Sequence, residues 1–152
     1  MPVPPEFADR FAAFVAQPSL ARQAIAGIDA GTLNRRPLGS DWSIRDHLVF
    51  LADNEQFAAA TFHAALTTDD AALPAPDPGL YLRRLQYLWR DPEAALSLFQ
   101  QARWGNAELL QRIDHSQWSR TLSVGSEPTT VGEFFASLAA DTGVRIGKLS
   151  AR

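Results

Sequence analysis

Near the C-terminal end of the sequence, an acid and a base, Asp141 and Arg145, stand four residues apart inside the apolar run "LAADTGVRIGKL". At about 100° per residue, a helical projection places both within the stripe made by Val131, Phe134, Phe135, Leu138, Ile146 and Leu149. An acid four residues before a base is worth only about 0.2–0.5 kcal/mol on a wet helix face. On an inward face desolvation can exceed the Coulomb gain, which leaves two readings of the placement: simple structural pairing, or a remnant or working part of a site. Arg145 carries a planar guanidinium fork suited to a carboxylate or another anion.

The other chemistry-bearing residues are sparse. The histidines are His47, His63 and His115. His47 and His63 lie sixteen residues apart on one helix, about 160° around its axis, and cannot converge on one ion. A site built on His47 and Asp141 alone falls short of the three protein ligands a catalytic zinc takes. Asp53 and Glu55 are two residues apart and do not face each other, which makes them a poor acid–base pair. With no cysteine there is no thiolate ligand or nucleophile. The sequence also lacks a phosphate-cradling glycine loop, a serine-nucleophile elbow and a zincin histidine motif. No self-contained catalytic constellation is present.

The elements that must position these residues read as helices. Phe7, Phe11, Phe14 and Val15 recur at helical spacing, and Leu20, Ala24, Ile25 and Ile28 continue it, with a kink or break expected at Pro18. That helix should end near Gly27 to Gly31, and "AGTLNRRPLGSDW" reads as a loop. Ser43 and Asp46 form a capping-box pattern opening a long helix to about Leu66, with Leu48, Leu51, Ala52, Glu55, Ala58, Ala59 and Phe62 on one side. "TTDDAALPAPDPG" reads as a loop crossing the end of a bundle. "LYLRRLQYLW" should make a short helical turn or two packing Leu82, Leu85 and Trp89. Asp91-Pro92 is an N-cap with proline at the first helical position, starting a helix to about Ile113. After an irregular stretch, Thr130 and Glu133 form a second capping box before the last helix.

These patterns predict an all-α four-helix bundle with a crossover connection and short extra helical turns, as a single domain over residues 1–152. Almost nothing reads as a strand. With 46% hydrophobic and 20% charged residues the chain is of a globular type. A net charge of −3 with scattered arginines argues against nucleic acid as a partner. The "MPVPPEFADR" start and the short apolar runs predict a cytoplasmic protein with no membrane partner. Trp42, Trp89, Trp104 and Trp118 are expected to pack in the core, although one of them could wall a pocket. Gly143 and Gly147, four apart, suit close helix or subunit contact, and a homodimer is one expectation.

Two separated stretches carry a resemblance. "DWSIRDHLVFLADNE" resembles the tryptophan-serine helix start of the DinB/YfiT-like four-helix proteins, where a histidine follows eight residues past the tryptophan and an acid trails it. "DTGVRIGKL" resembles that family's closing segment, where two histidines four apart precede isoleucine-glycine-glutamine. The order of helices and Trp118 before the last one also fit. The resemblance implies a divalent metal, such as nickel or zinc, held by three histidines. It further implies transfer of a low-molecular-weight thiol, such as bacillithiol or mycothiol, to an electrophile, because a metal stabilises the nucleophilic thiolate.

The sequence departs from that pattern at every ligand. Eight past Trp42 stands Phe50, and the closing segment puts Asp141 and Arg145 at the other two histidine positions. Phenylalanine cannot coordinate, and arginine repels a cation. The expectation is therefore a degenerate metal site with no cofactor. Asp141 and Arg145 would pair with each other, or with a bound anion, near Phe50. Trp42, His47, Asp53 and Arg145 are the candidate cavity or ligand-binding residues. A small anionic ligand or a partner would bind at the former metal cavity, the alternative being the metal- or thiol-dependent S-transferase of the resemblance.

Overall fold

The structure is a computed structural model, and it describes residues 3–39 and 42–150. Ser40 and Asp41, in the loop expected after the first helix, lie outside the described residues. So do the two residues at each end of the 1–152 span. The helices are α1 (Ala8–Ile25), α2 (Ala30–Asn34), α3 (Ile44–Thr67), α4 (Pro78–Arg84), α5 (Pro92–Arg112) and α6 (Val131–Leu149). Four of them, α1, α3, α5 and α6, form the bundle. None of the described helices is long and apolar enough to cross a membrane.

Local chemistry sets the helix starts where the sequence places them. Ser43 Oγ accepts from the Asp46 amide at 3.0 Å while Asp46 Oδ2 accepts from the Ser43 amide at 2.8 Å, so the box at the head of α3 is closed from both sides. Asp91 caps α5 with Pro92 in its first turn. Thr130 Oγ1 accepts from the Glu133 amide at the head of α6.

Around the bundle the order is α1, α5, α3, α6, with α1 and α6 closing the ring. Residue pairing gives the directions. Glu55 meets Arg103 and Asn106, while Arg45 reaches Leu88 just before α5, so α3 and α5 run parallel. Phe14 packs on Phe135 and Gln17 meets Ala139, so α1 and α6 are parallel too. Arg22 pairs with Glu93 and Phe14 with Arg103, which makes α1 antiparallel to α5. Because α3 and α5 are parallel neighbours, residues 68–91 must return along the bundle. This is the predicted crossover, and it lays Pro76 and Pro78 beside the α3–α6 groove.

The core is divided by a polar layer. At one end Phe14, Phe62, Leu110, Trp118 and Phe135 are buried, and at the other Leu48, Leu51, Phe99, Ile146 and Leu149. Between them Arg103 and Glu55, each 1% exposed, form a two-pronged ion pair: Arg103 Nε to Glu55 Oε2 at 2.8 Å and Nη2 to Oε1 at 2.9 Å. Arg103 also donates to Gln17 Oε1, Thr142 Oγ1 and the Phe14 carbonyl. Asn106 donates to Glu55 Oε2. A buried pair is tolerable when its remaining donors and acceptors are met, and here they are.

That layer explains why the break expected as one alternative at Pro18 does not occur. α1 runs unbroken through the buried Pro18. Proline deprives the carbonyl four residues earlier of its helical donor, and that acceptor is Phe14, to which Arg103 Nη1 donates at 2.8 Å. One departure from expectation is a small sheet. β1 (Ala71–Leu73) pairs in parallel with β2 (Thr121–Val124), which pairs antiparallel with β3 (Glu127–Thr130). The hairpin turns at Gly125 and Ser126, with Gly125 at φ +63°, a left-handed value glycine adopts without a Cβ penalty. Strands this short leave too little alternation for periodicity to register.

Other expectations are also revised. The segment after Gly27 holds the short helix α2, capped by Asp29 accepting from the Thr32 amide. Val15, Leu20 and Leu85 are exposed, and so are Trp89 (80%) and Trp104 (66%), whereas Tyr87 packs inward in their place. Trp118 is buried as expected. Gly143 and Gly147 are exposed: a Cβ at Gly143 would meet the Gln17 side chain of α1 at 3.6 Å, an ordinary contact, and one at Gly147 would meet nothing within 4 Å. The glycine that does permit close approach is Gly132, where a Cβ would run into the Phe7 ring.

Candidate functional site

α3 and α6 together bring most of the predicted residues to one place. On α3, His47 and Phe50 are buried one turn apart, and on α6 Arg145 is half-buried opposite them. Trp42, just ahead of the α3 cap, stacks on the His47 ring at 5.2 Å and 20° and meets Phe50 edge-on at 6.0 Å. The Arg145 guanidinium carbon lies 4.3 Å from the Phe50 ring centre and 4.9 Å from that of Trp42. Arg145 Nη1 donates to His47 Nδ1 across 3.0 Å. The guanidinium thus sits in a cage of three flat rings, with cation–π attraction from two of them.

Asp141 is the exception. It does not pair with Arg145, and its side chain is exposed, one turn away along the rim. The stripe projection placed it inward, but the polar layer claims the neighbouring position: Thr142 is buried, donating to the Leu138 carbonyl and accepting from Arg103. Holding Thr142 inward turns Asp141 towards the edge. Asp53 is half-buried and paired with Arg90 at 2.9 Å, behind the cage rather than in it. His63 is exposed on the far side of α3, and His115 is exposed in a 3-10 turn.

A cavity of about 300 Å³ opens on this cage, lined by Phe50, Leu51, Asn54, Asp141, Arg145 and Lys148 among others, with Pro76 and Pro78 of the crossover on one side. Thr142 backs it, so the polar layer and the cavity share a residue. The electrostatics follow from burial. His47 is pushed down to about 4, mainly by burial and further by the Arg145 and Lys148 charges. Burial also lowers Arg145, opposed by Tyr87 and Asp141, but an arginine remains charged. Beneath Trp42, burial and the Asp53 carboxylate raise Tyr87 beyond the range in which it would ionise.

The donor set does not suit a divalent metal ion. Of the three positions the resemblance assigns to ligands, Phe50 offers no lone pair, Arg145 is a permanent cation, and Asp141 alone could coordinate. His47 Nδ1 already accepts from Arg145. Among the described residues no cluster of three or more histidines, aspartates or glutamates could hold a metal.

The parallel α3–α5 and α1–α6 pairs and the returning crossover make a four-helix bundle whose fold is similar to that of a solved structure, YfiT. YfiT from Bacillus subtilis, described as "a probable metal-dependent hydrolase with an unusual four-helix bundle topology", superposes with a TM-score of 0.82 over 95% of this chain and 85% of that one, at 20% sequence identity. No protein-family model matches the sequence, and no curated protein matches it either.

Inspection of the sequence did not single out Arg103, Gln17, Thr142 or Lys148. The signal for Arg103 was the one used for Arg145: a charge four residues past Phe99 and four before Ala107, inside an apolar stripe. Lys148, one turn beyond Arg145, gave no such signal, because a lysine near a helix end is usually solvated.

Proposed function

We propose that this chain is a metal-free binding protein built on the DinB/YfiT-like fold, taking a small anionic ligand at Arg145 in the cavity that the resemblance assigns to a metal. One observation carries the reading. Among the described residues, five arginines are not exposed, and four of them donate to a carboxylate: Arg45 to Asp46, Arg90 to Asp53, Arg103 to Glu55 and Arg120 to Asp69. Among the described residues no carboxylate is in ion-pair contact with Arg145, which meets a neutral imidazole and two ring faces.

A partly desolvated cation without a counter-ion is costly, and an anion entering the cavity repays that cost. Lys148 lines the same cavity and adds a second positive charge. The guanidinium is held in place by Trp42, His47 and Phe50, so little side-chain freedom is lost on binding. On this reading Phe50 and Arg145 take the space of two metal ligands and turn a cation site into an anion site. Metal-dependent hydrolysis, as described for YfiT, and thiol transfer both fall outside it.

Protein purified without a chelating tag should carry sub-stoichiometric transition metal and bind benzoate by calorimetry, and Arg145→Met should abolish that binding. Stoichiometric zinc or nickel, or benzoate binding unchanged in Arg145→Met, would overturn the reading.

A further inference from the structure

Resting on that reading of Arg145, we infer that the ligand is an amphipathic monocarboxylate whose apolar tail occupies a second chamber beside the first. A cavity of about 370 Å³ adjoins the Arg145 cavity, and Asn54, Pro76 and Asp141 line both, so the two share walls. Its apolar walls are Phe57, Val124, Pro128, Phe134 and Leu138. Phe57 and Phe134 meet edge-on at 6.2 Å, and Phe134 packs on Phe62, which fixes the aromatic wall to the core.

The two chambers differ in charge. Arg145 and Lys148 line the first, whereas the charged residues lining the second are Glu127 and Asp141, both acidic. One cleft therefore offers an anion-binding end, an acidic waist at Asp141 and an apolar far end. A molecule with a single carboxylate and a hydrocarbon or aryl tail matches that order. A dicarboxylate of equal length would carry its second charge into acidic walls, and an alcohol or amine of equal length would leave Arg145 without its anion.

The chambers exist because of the crossover and the hairpin. Pro76 reaches the waist from the segment leading into α4, and β2 and β3 supply Val124, Pro128 and Thr129. The small sheet thus builds the far end of the site.

The test is calorimetric titration of the full chain with acetate, octanoate, octanedioate and octylamine. Octanoate should bind at least tenfold more tightly than acetate, since each buried methylene contributes roughly fourfold. Octanedioate should gain little over acetate, and octylamine should not bind. Arg145→Met should lose acetate and octanoate alike. Ser137→Trp, placed at an exposed position on the wall of the second chamber, should keep acetate binding and lose the octanoate advantage.

Equal affinity for acetate and octanoate would overturn the tail chamber while leaving the anion site at Arg145 intact. Octanedioate binding as tightly as octanoate would overturn the charge asymmetry, and an octanoate advantage undiminished in Ser137→Trp would put the tail elsewhere. Octanoate bound equally well by Arg145→Met would remove the anion site itself. Should Ser137→Trp fail to fold, the comparison of the four ligands on the unaltered chain still decides.

Discussion

Arg145 Nη1 stands 3.0 Å from His47 Nδ1, and since arginine can only donate, the imidazole must accept. That fixes His47 as the neutral tautomer with its proton on Nε2. The contact spans α3 and α6 and makes the charge state of one residue depend on the placement of the other.

A pH dependence of stability follows. An ordinary histidine in the unfolded chain takes up its proton near 6.5, whereas His47 in the fold waits until about 4. Between those values the unfolded state binds more protons, so stability falls as pH drops through that window and is fully restored above it. One proton gives a slope of at most about 1.4 kcal/mol per pH unit. Urea unfolding from pH 7 to 4.5 should show this slope, and His47→Gln should flatten it.

The polar layer should be the most sensitive place in the core. Arg103→Met leaves Glu55 as an unpaired buried carboxylate and strips the Phe14 carbonyl of its donor. The expected loss is about 3–5 kcal/mol in urea unfolding. Adding Pro18→Ala returns a helical N–H to Phe14. The double variant should therefore be more stable than the sum of the single effects, and strict additivity would show that Arg103 does not serve that carbonyl.

The cap of α3 should also be measurable. Ser43→Ala removes the acceptor of the Asp46 amide at a fully buried site and should cost about 1 kcal/mol. Burial pushes the Asp46 carboxyl up, but bonds from the Ser43 amide, Arg36 and Arg45 hold it below its ordinary value. That contribution is present above about pH 4 and lost as pH falls further. The two acid-sensitive sites therefore separate along the pH axis.

Installing histidine at Phe50, Asp141 and Arg145 together tests the correspondence with the metal-binding pattern. All three positions border one cavity, and two lie four apart on α6, the spacing that lets two imidazoles share an ion. The triple variant should bind nickel or zinc, read by calorimetry, while the unaltered chain should not. A folded triple variant with no affinity for either metal would count against the alignment of both segments.

The sequence by itself determined where α3, α5 and α6 start, because caps are local. Ser43 with Asp46, Asp91 with Pro92, and Thr130 with Glu133 act within one turn, and each stands where it was expected. A helical projection also singled out Arg145, a charge within an apolar stripe, whereas Phe50 came from the family resemblance and His47 from its place one turn before Phe50. Only the tertiary structure decided which groups satisfy those charges. Arg145 turned to His47, 98 residues away, instead of to Asp141 on its own helix, because Thr142 is held inward by Arg103. Glu55 found Arg103 48 residues along, and the Phe14 carbonyl found it 89 residues away. Such partners meet only when α3 and α5 lie parallel and the intervening chain returns along the bundle, and no periodicity within one helix encodes that arrangement.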